Sequence, residues 1–541
     1  MNFYLPLFRF FGMALCTWPL LIQSATPDGA ELYRQHCAIC HGMEGQGIPG
    51  VFPPLAKSDF LVESRDKALR APLEGLFGKI TVNGVAYEGG MPPVLLKDEQ
   101  IASVFGHIYA SWDNNKGKAP TEAEIKKLRA KTKFPTHEAL VASMVSSQLP
   151  PAPEGWELKV GAEFSFSPVR MAAHPDGVHV LFLTQNGDVW SWKTGTQEQE
   201  LLFPKETFFD MDLGDILSLG MTVDREGRLY VTSNQCNKKT KPVTNEITVF
   251  RTRSWSKETP WTRPEPWLRT VYPFGIGPYN HGLSHIAQGP DGFMYINSGA
   301  RTDGGEAGKQ PNYATTGENE RTATMWRVDP KDEKPEIQIY ARGLRNSFGF
   351  CWDDEKRMIA TENGPDADAP EELNVIVQGR HYGFPYQFAD WTKKPYPHTP
   401  DVPAGLQITQ PLRNVGPDAG GSADKSISTF DPHSCPSGIV WLGKDWPAPL
   451  GGSFLTARFG NLIKGTDRGY DVLQMHPDFT AGTTTVKRLL APLGRPIDIL
   501  TLPGHRVLIA EYCRGTNLAA GIGTPGRVLV LEPKKVVDTP K

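Results

Sequence analysis

The chain lacks a large excess of either charge, and it lacks a long apolar run. Its 541 residues carry a formal net charge of -3 at pH 7, which argues against nucleic acid as a main partner. Its apolar stretch, Phe10 to Ile22, falls short of the ~20 residues a membrane span needs. Arg9 precedes that stretch and Ser24-Ala25 ends it, the layout of a secretory signal. Gln23 stands where a small residue is preferred, so an uncleaved anchor is the alternative. Residues 1–25 are therefore expected to be a signal peptide, with no membrane span after cleavage and a periplasmic or secreted mature chain. Cysteine is also scarce, at seven. Cys16 leaves with the signal, Cys37 and Cys40 form a local pair, and Cys236, Cys351, Cys435 and Cys513 are scattered. An oxidising compartment permits disulfides among those four, and buried free thiols are the other reading.

Glycine (54) and proline (47) are plentiful, as a many-turned all-β protein requires. Thirteen Trp and fifteen Tyr suit strand-rich packing or a sugar-binding surface.

Near the N-terminus, Gly29 to His36 reads as a helix, with Asp28 as its cap and Leu32 and Tyr33 on one face. Cys37, Cys40 and His41 follow at once. Two thiols at that spacing can form thioether bonds to haem vinyl groups, and the adjacent imidazole can reach the iron. A redox pair or half a zinc site is the rival reading of the two thiols alone. A thioether sulfur suits the second axial position. Met91, in the Gly/Pro-rich loop Tyr87 to Pro93, is the candidate. A second helix is expected from about Lys97 to Trp112, burying Ile101, Val104, Phe105, Ile108 and Tyr109. Over about residues 26–133 the chain resembles a class I cytochrome c, of the kind serving periplasmic dehydrogenases. That resemblance implies a small all-α domain over 26–113, with haem c held by Cys37, Cys40, His41 and Met91. Residues 114–155 read as a polar, then proline-rich linker with a short helix around Glu122–Lys131.

Beyond this linker a unit recurs six times: an apolar run, a turn, and a second apolar run. The copies are Met171–Trp192, Leu219–Thr232, Ile286–Asn297, Phe348–Thr361, Ile439–Ala457 and Ile497–Glu511. Further strands are expected at Ile247–Arg251, Thr324–Val328, Asn374–Val377 and Arg527–Leu531. Repeated antiparallel units closing on themselves predict an all-β six-bladed β-propeller. Its loops gather at one mouth, so distant polar residues can converge there. Those loops hold Asn280-His281, Arg345-Asn346, Glu362 to Pro365 with Glu371-Glu372, Arg458 to Asn461, and Arg495.

Residues 156–535 resemble the soluble glucose/sorbosone dehydrogenase family, whose members are six-bladed propellers using pyrroloquinoline quinone (PQQ) and calcium. His281 stands eight residues before the turn Gly289 to Gly292, Arg345-Asn346 forms the family's Arg-Asn pair, and Glu362 to Pro365 precedes Glu371 to Asn374. Gly379 to Pro385 and Arg495 ahead of Asp498 extend the match. The resemblance implies that His281 is the catalytic base and that Arg345, Asn346, Arg458 and Arg495 hold PQQ. It also implies that the Gly364 and Pro365 carbonyls hold calcium. Arg458 is the nearest match to a lysine of the family. Asn280, Leu283, Ser284 and Ile497 depart from its pattern.

The chemistry is consistent with those roles. A tricarboxylate quinone needs cations, calcium takes backbone carbonyl oxygens, and a neutral histidine can accept a hydroxyl proton near pH 7. Arg345 is placed to stabilise charge on the quinone oxygen. The expected function is a quinohaemoprotein that oxidises an aldose, a sorbosone-like sugar or a related alcohol or aldehyde. Electrons would pass to its own haem c and on to an external cytochrome or respiratory-chain component. The rivals are a glycan- or protein-binding propeller fused to a cytochrome, and a calcium-dependent propeller lactonase.

Overall fold

The structure is a computed structural model. It describes residues 28–48, 52–91, 93–94, 96–114, 117–144, 149–275, 280–306, 317–389, 394–421, 429–461, 468–515 and 526–535. The expected signal peptide, with Cys16, lies outside the described residues. Two compact units emerge. One comprises Met1–Arg70, Phe77–Gly89 and Leu96–Lys131; the other comprises Ala71–Leu76, Gly90–Leu95 and Thr132–Lys541.

In the first unit, helix Gly29–His36 lies against helix Asp98–Ala110. The crossing is close at Gly29, where a Cβ would stand 2.1 Å from the Ser103 carbonyl oxygen. Leu32 and Tyr33 of one helix and Ile101, Val104, Phe105, Ile108 and Tyr109 of the other are buried, as the 3.6-residue period requires. Asp28 occupies the N-cap position, but its side chain makes no capping bond. Thr121 does cap the helix Glu122–Arg129, accepting from the Glu124 N–H at 3.3 Å. Arg129, at that helix's end, is buried and donates to the Asp98 carboxylate at 2.5 Å and the Leu96 carbonyl at 2.8 Å.

Three expectations for this part of the chain need correction. The region 26–113 is not all-α, because strands Leu76–Val82 and Val85–Met91 form a two-stranded sheet. Asn83 and Gly84 turn it with φ of 50° and 76°, the left-handed pair that a two-residue hairpin favours. Met91 accordingly ends a strand instead of lying in a loop, and is half-buried. Finally, the linker holds a second helix, His137–Met144.

Among the described residues, the second unit contains six sheets built on the six sequence repeats. Their first strands are Pro168–Ala173, Met221–Val223, Leu283–Gln288, Phe350–Trp352, Pro436–Leu442 and Pro496–Leu502. These strands follow one another in a ring. Each of the first two packs on the next, the fourth packs on the fifth, the fifth on the sixth, and the sixth returns to the first. His285 of the third meets Phe350 of the fourth edge-on, with ring centroids 4.5 Å apart. The ring is closed by the strand Trp156–Glu163, which precedes the first repeat and pairs with Arg527–Pro533, so the last sheet combines strands from before the first repeat and after the sixth. A parallel strand, Arg413–Pro417, joins the fifth sheet and was not expected.

The turns within the repeats explain their spelling. Gly177, Gly227 and Gly292 adopt φ of 72°, 75° and 87°, and Lys356 takes the same place in the fourth repeat at 63°. Glycine pays no steric cost there, whereas Lys356 does. Among the described residues every cysteine is a free thiol.

Arg170 crosses the centre of the ring. It donates to the Leu219, Ser284 and Phe348 carbonyls at 3.1, 2.7 and 2.8 Å and to Asp498 at 3.0 Å. A side chain of the first sheet can reach segments of the second, third, fourth and sixth only from the axis.

Candidate functional site

In the first unit the Cys-x-x-Cys-His run straddles a helix break. Cys37 separates helix Gly29–His36 from the short helix Ala38–His41. Burial, with Cys40 adding to it, pushes the Cys37 thiol up to about 12. His41 is buried, and its Nδ1 lies 2.9 Å from the Pro53 carbonyl oxygen. A carbonyl only accepts, so Nδ1 carries the proton and Nε2 the lone pair. Burial lowers the pKa of this imidazole, against the raising effect of that hydrogen bond. A neutral ring with an oriented Nε2 lone pair fits an axial iron ligand. The flanking segment is pinned by the Tyr33 hydroxyl, which donates to the Gly42 carbonyl at 2.7 Å, and by Asn114, which donates to Leu55 and Ile108 carbonyls at 2.8 and 3.0 Å. Tyr33, His107 and Trp112 cluster beside it with centroids 5.1 to 5.4 Å apart. Residue spacing alone did not reveal that cluster.

In the second unit the decisive position is the end of strand Met294–Ser298. Gly299 follows it, and there a Cβ would stand 2.5 Å from the His281 Cβ and 3.2 Å from the Arg345 carbonyl oxygen. The residue tolerates no side chain because His281 and Arg345 close on it from two loops. Ala300 binds both. Its N–H donates to the Arg345 carbonyl at 2.6 Å, and its carbonyl accepts from His281 N–H at 2.9 Å and from His281 Nδ1 at 3.0 Å. The proton of His281 is thereby placed on Nδ1, and the lone pair on Nε2.

The Arg345 side chain is buried and fully directed. It donates to the Asp303 carboxylate at 2.6 Å, to the Asp303 carbonyl at 3.3 Å and to the Asn363 carbonyl at 3.2 Å. Gly364 and Pro365 follow Asn363, so the arginine touches the start of the predicted calcium turn. Nearby, the side-chain oxygens of Asn346, Asn363 and Asn374 are buried without a hydrogen-bond partner. Orphaned oxygen acceptors of this kind need a cation or an outside donor. Glu362 accepts from the Arg345 backbone N–H at 2.5 Å, and burial and neighbouring Glu372 hold its pKa well above the usual range. Glu371 is pushed up to about 8 by burial, against a 2.9 Å hydrogen bond from the Ser434 hydroxyl.

Arg495 donates to the Gly460 and Asn461 carbonyls at 3.1 and 2.9 Å. Arg458 stands directly opposite Asp471 across its own sheet and pairs with both carboxylate oxygens at 2.8 and 2.6 Å, both side chains being fully buried. The fields of Arg458 and Arg345 both reach Glu371, and those of Arg495 and Arg345 both reach Cys435. Arg458 is already matched to the Asp471 and Asp431 carboxylates. Sequence reading missed Asp303, Ser434 and Cys435. Asp303-Gly304-Gly305 reads as a turn, and nothing in its spelling links it to Arg345.

Residues 166–458, more than half of the chain, match the family model described as Glucose / Sorbosone dehydrogenase. Residues 24–108 match the model described as Cytochrome C oxidase, cbb3-type, subunit III. Cytochrome c-552 of Thermus thermophilus is 46% identical over 120 residues, 20% of this chain and 80% of that protein. The cytochrome c subunit of alcohol dehydrogenase (quinone) from Gluconacetobacter polyoxogenes is 32% identical over 120 residues, but only 23% of its length is covered. The apo-form soluble aldose sugar dehydrogenase of Escherichia coli superposes with a TM-score of 0.50 at 15% identity, covering 70% of this chain and 100% of that one, a likeness of fold. The chain therefore belongs to the glucose/sorbosone dehydrogenase family of oxidoreductases and carries, on its N-terminal side, a segment of the cytochrome c family.

Proposed function

We propose that the chain is a periplasmic or secreted quinohaemoprotein. It oxidises an aldose, a sorbosone-like sugar or a related alcohol or aldehyde with PQQ and calcium, and delivers the electrons to haem c on the same chain. The catalytic part is a six-bladed propeller over about 156–535, and the haem part spans about 26–113. When bound, PQQ supplies a two-electron acceptor, calcium supplies Lewis acidity, and haem c supplies a one-electron outlet.

The observation that supports this reading best is the convergence of His281 and Arg345 on Gly299, beside orphaned asparagine oxygens. His281 Nε2 accepts the substrate hydroxyl proton, its orientation set by the Nδ1 bond to Ala300. Arg345, held on one side by Asp303, offers its remaining donor directions to a quinone oxygen. Arg495 and Asn346 would bind the quinone's carboxylates and ring substituents, with Arg458 the third cation of the set, its charge largely offset by Asp471 and Asp431. Gly364 and Pro365 would offer carbonyls to calcium, and the Asn363 oxygen lies at the same turn. Cys37 and Cys40 would hold the haem covalently, and His41 Nε2 and Met91 would ligate its iron.

The test is reconstitution of the purified protein with PQQ and calcium, followed by a panel of sugars and alcohols while the haem absorption is recorded. Substrate-dependent haem reduction is expected. A loaded protein that leaves its haem oxidised with every member of a broad panel would refute the reading.

A further inference from the structure

We propose that Asp303 is a positioning residue that holds the Arg345 guanidinium and the Gly364–Pro365 turn in one arrangement, braced from outside by Tyr396. The inference rests on the function proposed above and extends it to a residue outside the expected site.

Asp303 is bonded on every side. One carboxylate oxygen accepts from Arg345 at 2.6 Å and from the backbone N–H of Asp366 at 3.2 Å. The other accepts from the Tyr396 hydroxyl. Its own carbonyl accepts a second Arg345 bond at 3.3 Å. Asp366 is the residue after Pro365, so a shift of Asp303 shifts the peptide that carries the Pro365 carbonyl. Asp303 also lies three residues beyond Ala300, which orients His281. One carboxylate therefore ties together the segments bearing the base, the arginine and the carbonyl turn.

The support around it is equally specific. Glu306 receives the N–H groups of Asp303 and Gly304, each at 2.7 Å. The Tyr396 ring covers Gly304, where a Cβ would stand 2.5 Å from the ring, and Thr399 donates to the Gly304 carbonyl at 3.2 Å. Tyr396 stacks on His398 with centroids 5.0 Å apart and planes 10° from parallel.

A buried Asp–Arg pair, with side chains 7% and 4% exposed, adds little net stability. What it adds is direction: a carboxylate fixes a planar guanidinium far more narrowly than water does. A purely structural ion pair would need neither the Asp366 bond nor the tyrosine.

The experiment compares wild type with Asp303→Ala, Asp303→Asn and Tyr396→Phe. Wild-type protein is first titrated with calcium in the presence of PQQ, with loading followed by the absorption of the bound quinone and not by turnover. Asp303→Ala is expected to raise the calcium needed for half-loading by about 10-fold, the scale of lost outer-shell contacts to a metal site. Its kcat is expected to fall by about 10- to 100-fold with KM changed less than about 3-fold, the pattern of lost positioning. Asp303→Asn keeps an accepting oxygen and should recover most of the calcium affinity. Asp303→Ala that folds, loads and turns over like wild type overturns the proposal, as does one that only melts earlier. Where Asp303→Ala does not fold, Tyr396→Phe decides: a calcium requirement raised about 2- to 5-fold supports the proposal, and no change overturns it. Wild type that takes up neither calcium nor PQQ refutes the functional reading itself, and this inference with it, before any variant is compared.

Discussion

Single residues decide the chemistry through contacts of a few tenths of an ångström. Gly299 has no room for a methyl group because His281 lies 2.5 Å from its Cβ position. Gly299→Ala should therefore part His281 from Arg345 and lower kcat/KM of the loaded enzyme by about 10- to 100-fold, measured by steady-state kinetics. Glu371 makes an acid-base prediction. Its pKa rises from 4.5 to about 8 in the folded chain because burial disfavours the anion. The folded state then binds a proton that the unfolded state has lost between those values. Stability from this group is complete below about 4.5 and disappears as pH rises through about 8. The melting temperature of the metal-free protein should fall across that window. Glu371→Gln should flatten the slope and melt higher than wild type at pH 9.

At the scale of elements, each repeat supplies an alternating strand pair that is stable only against its neighbours. The last sheet shows this best, since one of its strands comes from the far end of the unit. Trp156 begins that strand. It is 1% exposed, lies in one apolar cluster with Leu442 and Leu455 of the fifth sheet and Leu450 of the turn between their strands, and donates to the Ala448 carbonyl at 3.0 Å. Trp156→Ala should cost about 3–5 kcal/mol in urea unfolding, the range for a large buried aromatic. The hairpin Leu76–Val82 with Val85–Met91 is the contrasting case. Most of its first strand is exposed, and its Asn-Gly turn determines it locally.

At the scale of the whole catalytic unit, Arg170 ties together segments of five of the six sheets. Both it and Asp498 are nearly inaccessible, with side chains 2% and 6% exposed. Arg170→Met should destabilise by about 3–5 kcal/mol because Asp498 keeps a buried charge without its partner. Adding Asp498→Leu should restore part of that loss, since the remaining pair would be apolar. Urea unfolding of the single and double variants measures both effects.

The sequence by itself determined the periodic structure. Alternation and turn spelling identified all six strand pairs, and the Cys-x-x-Cys-His run located the haem-type segment, because these signals are local. Arg345-Asn346 and Glu362 to Pro365 were legible as a polar site for the same reason. The hairpin before Asp98 went unread because its Gly-rich second strand looks like a loop. The role of Asp303 and the matching of Arg458 to Asp471 went unread because each depends on a partner far along the chain. Only the tertiary structure decided which strand closes the ring, which nitrogen of His281 carries the proton, and that Gly299 is the point on which His281 and Arg345 meet. Those are properties of distances between segments, and no residue type encodes them until the sheets close on one another.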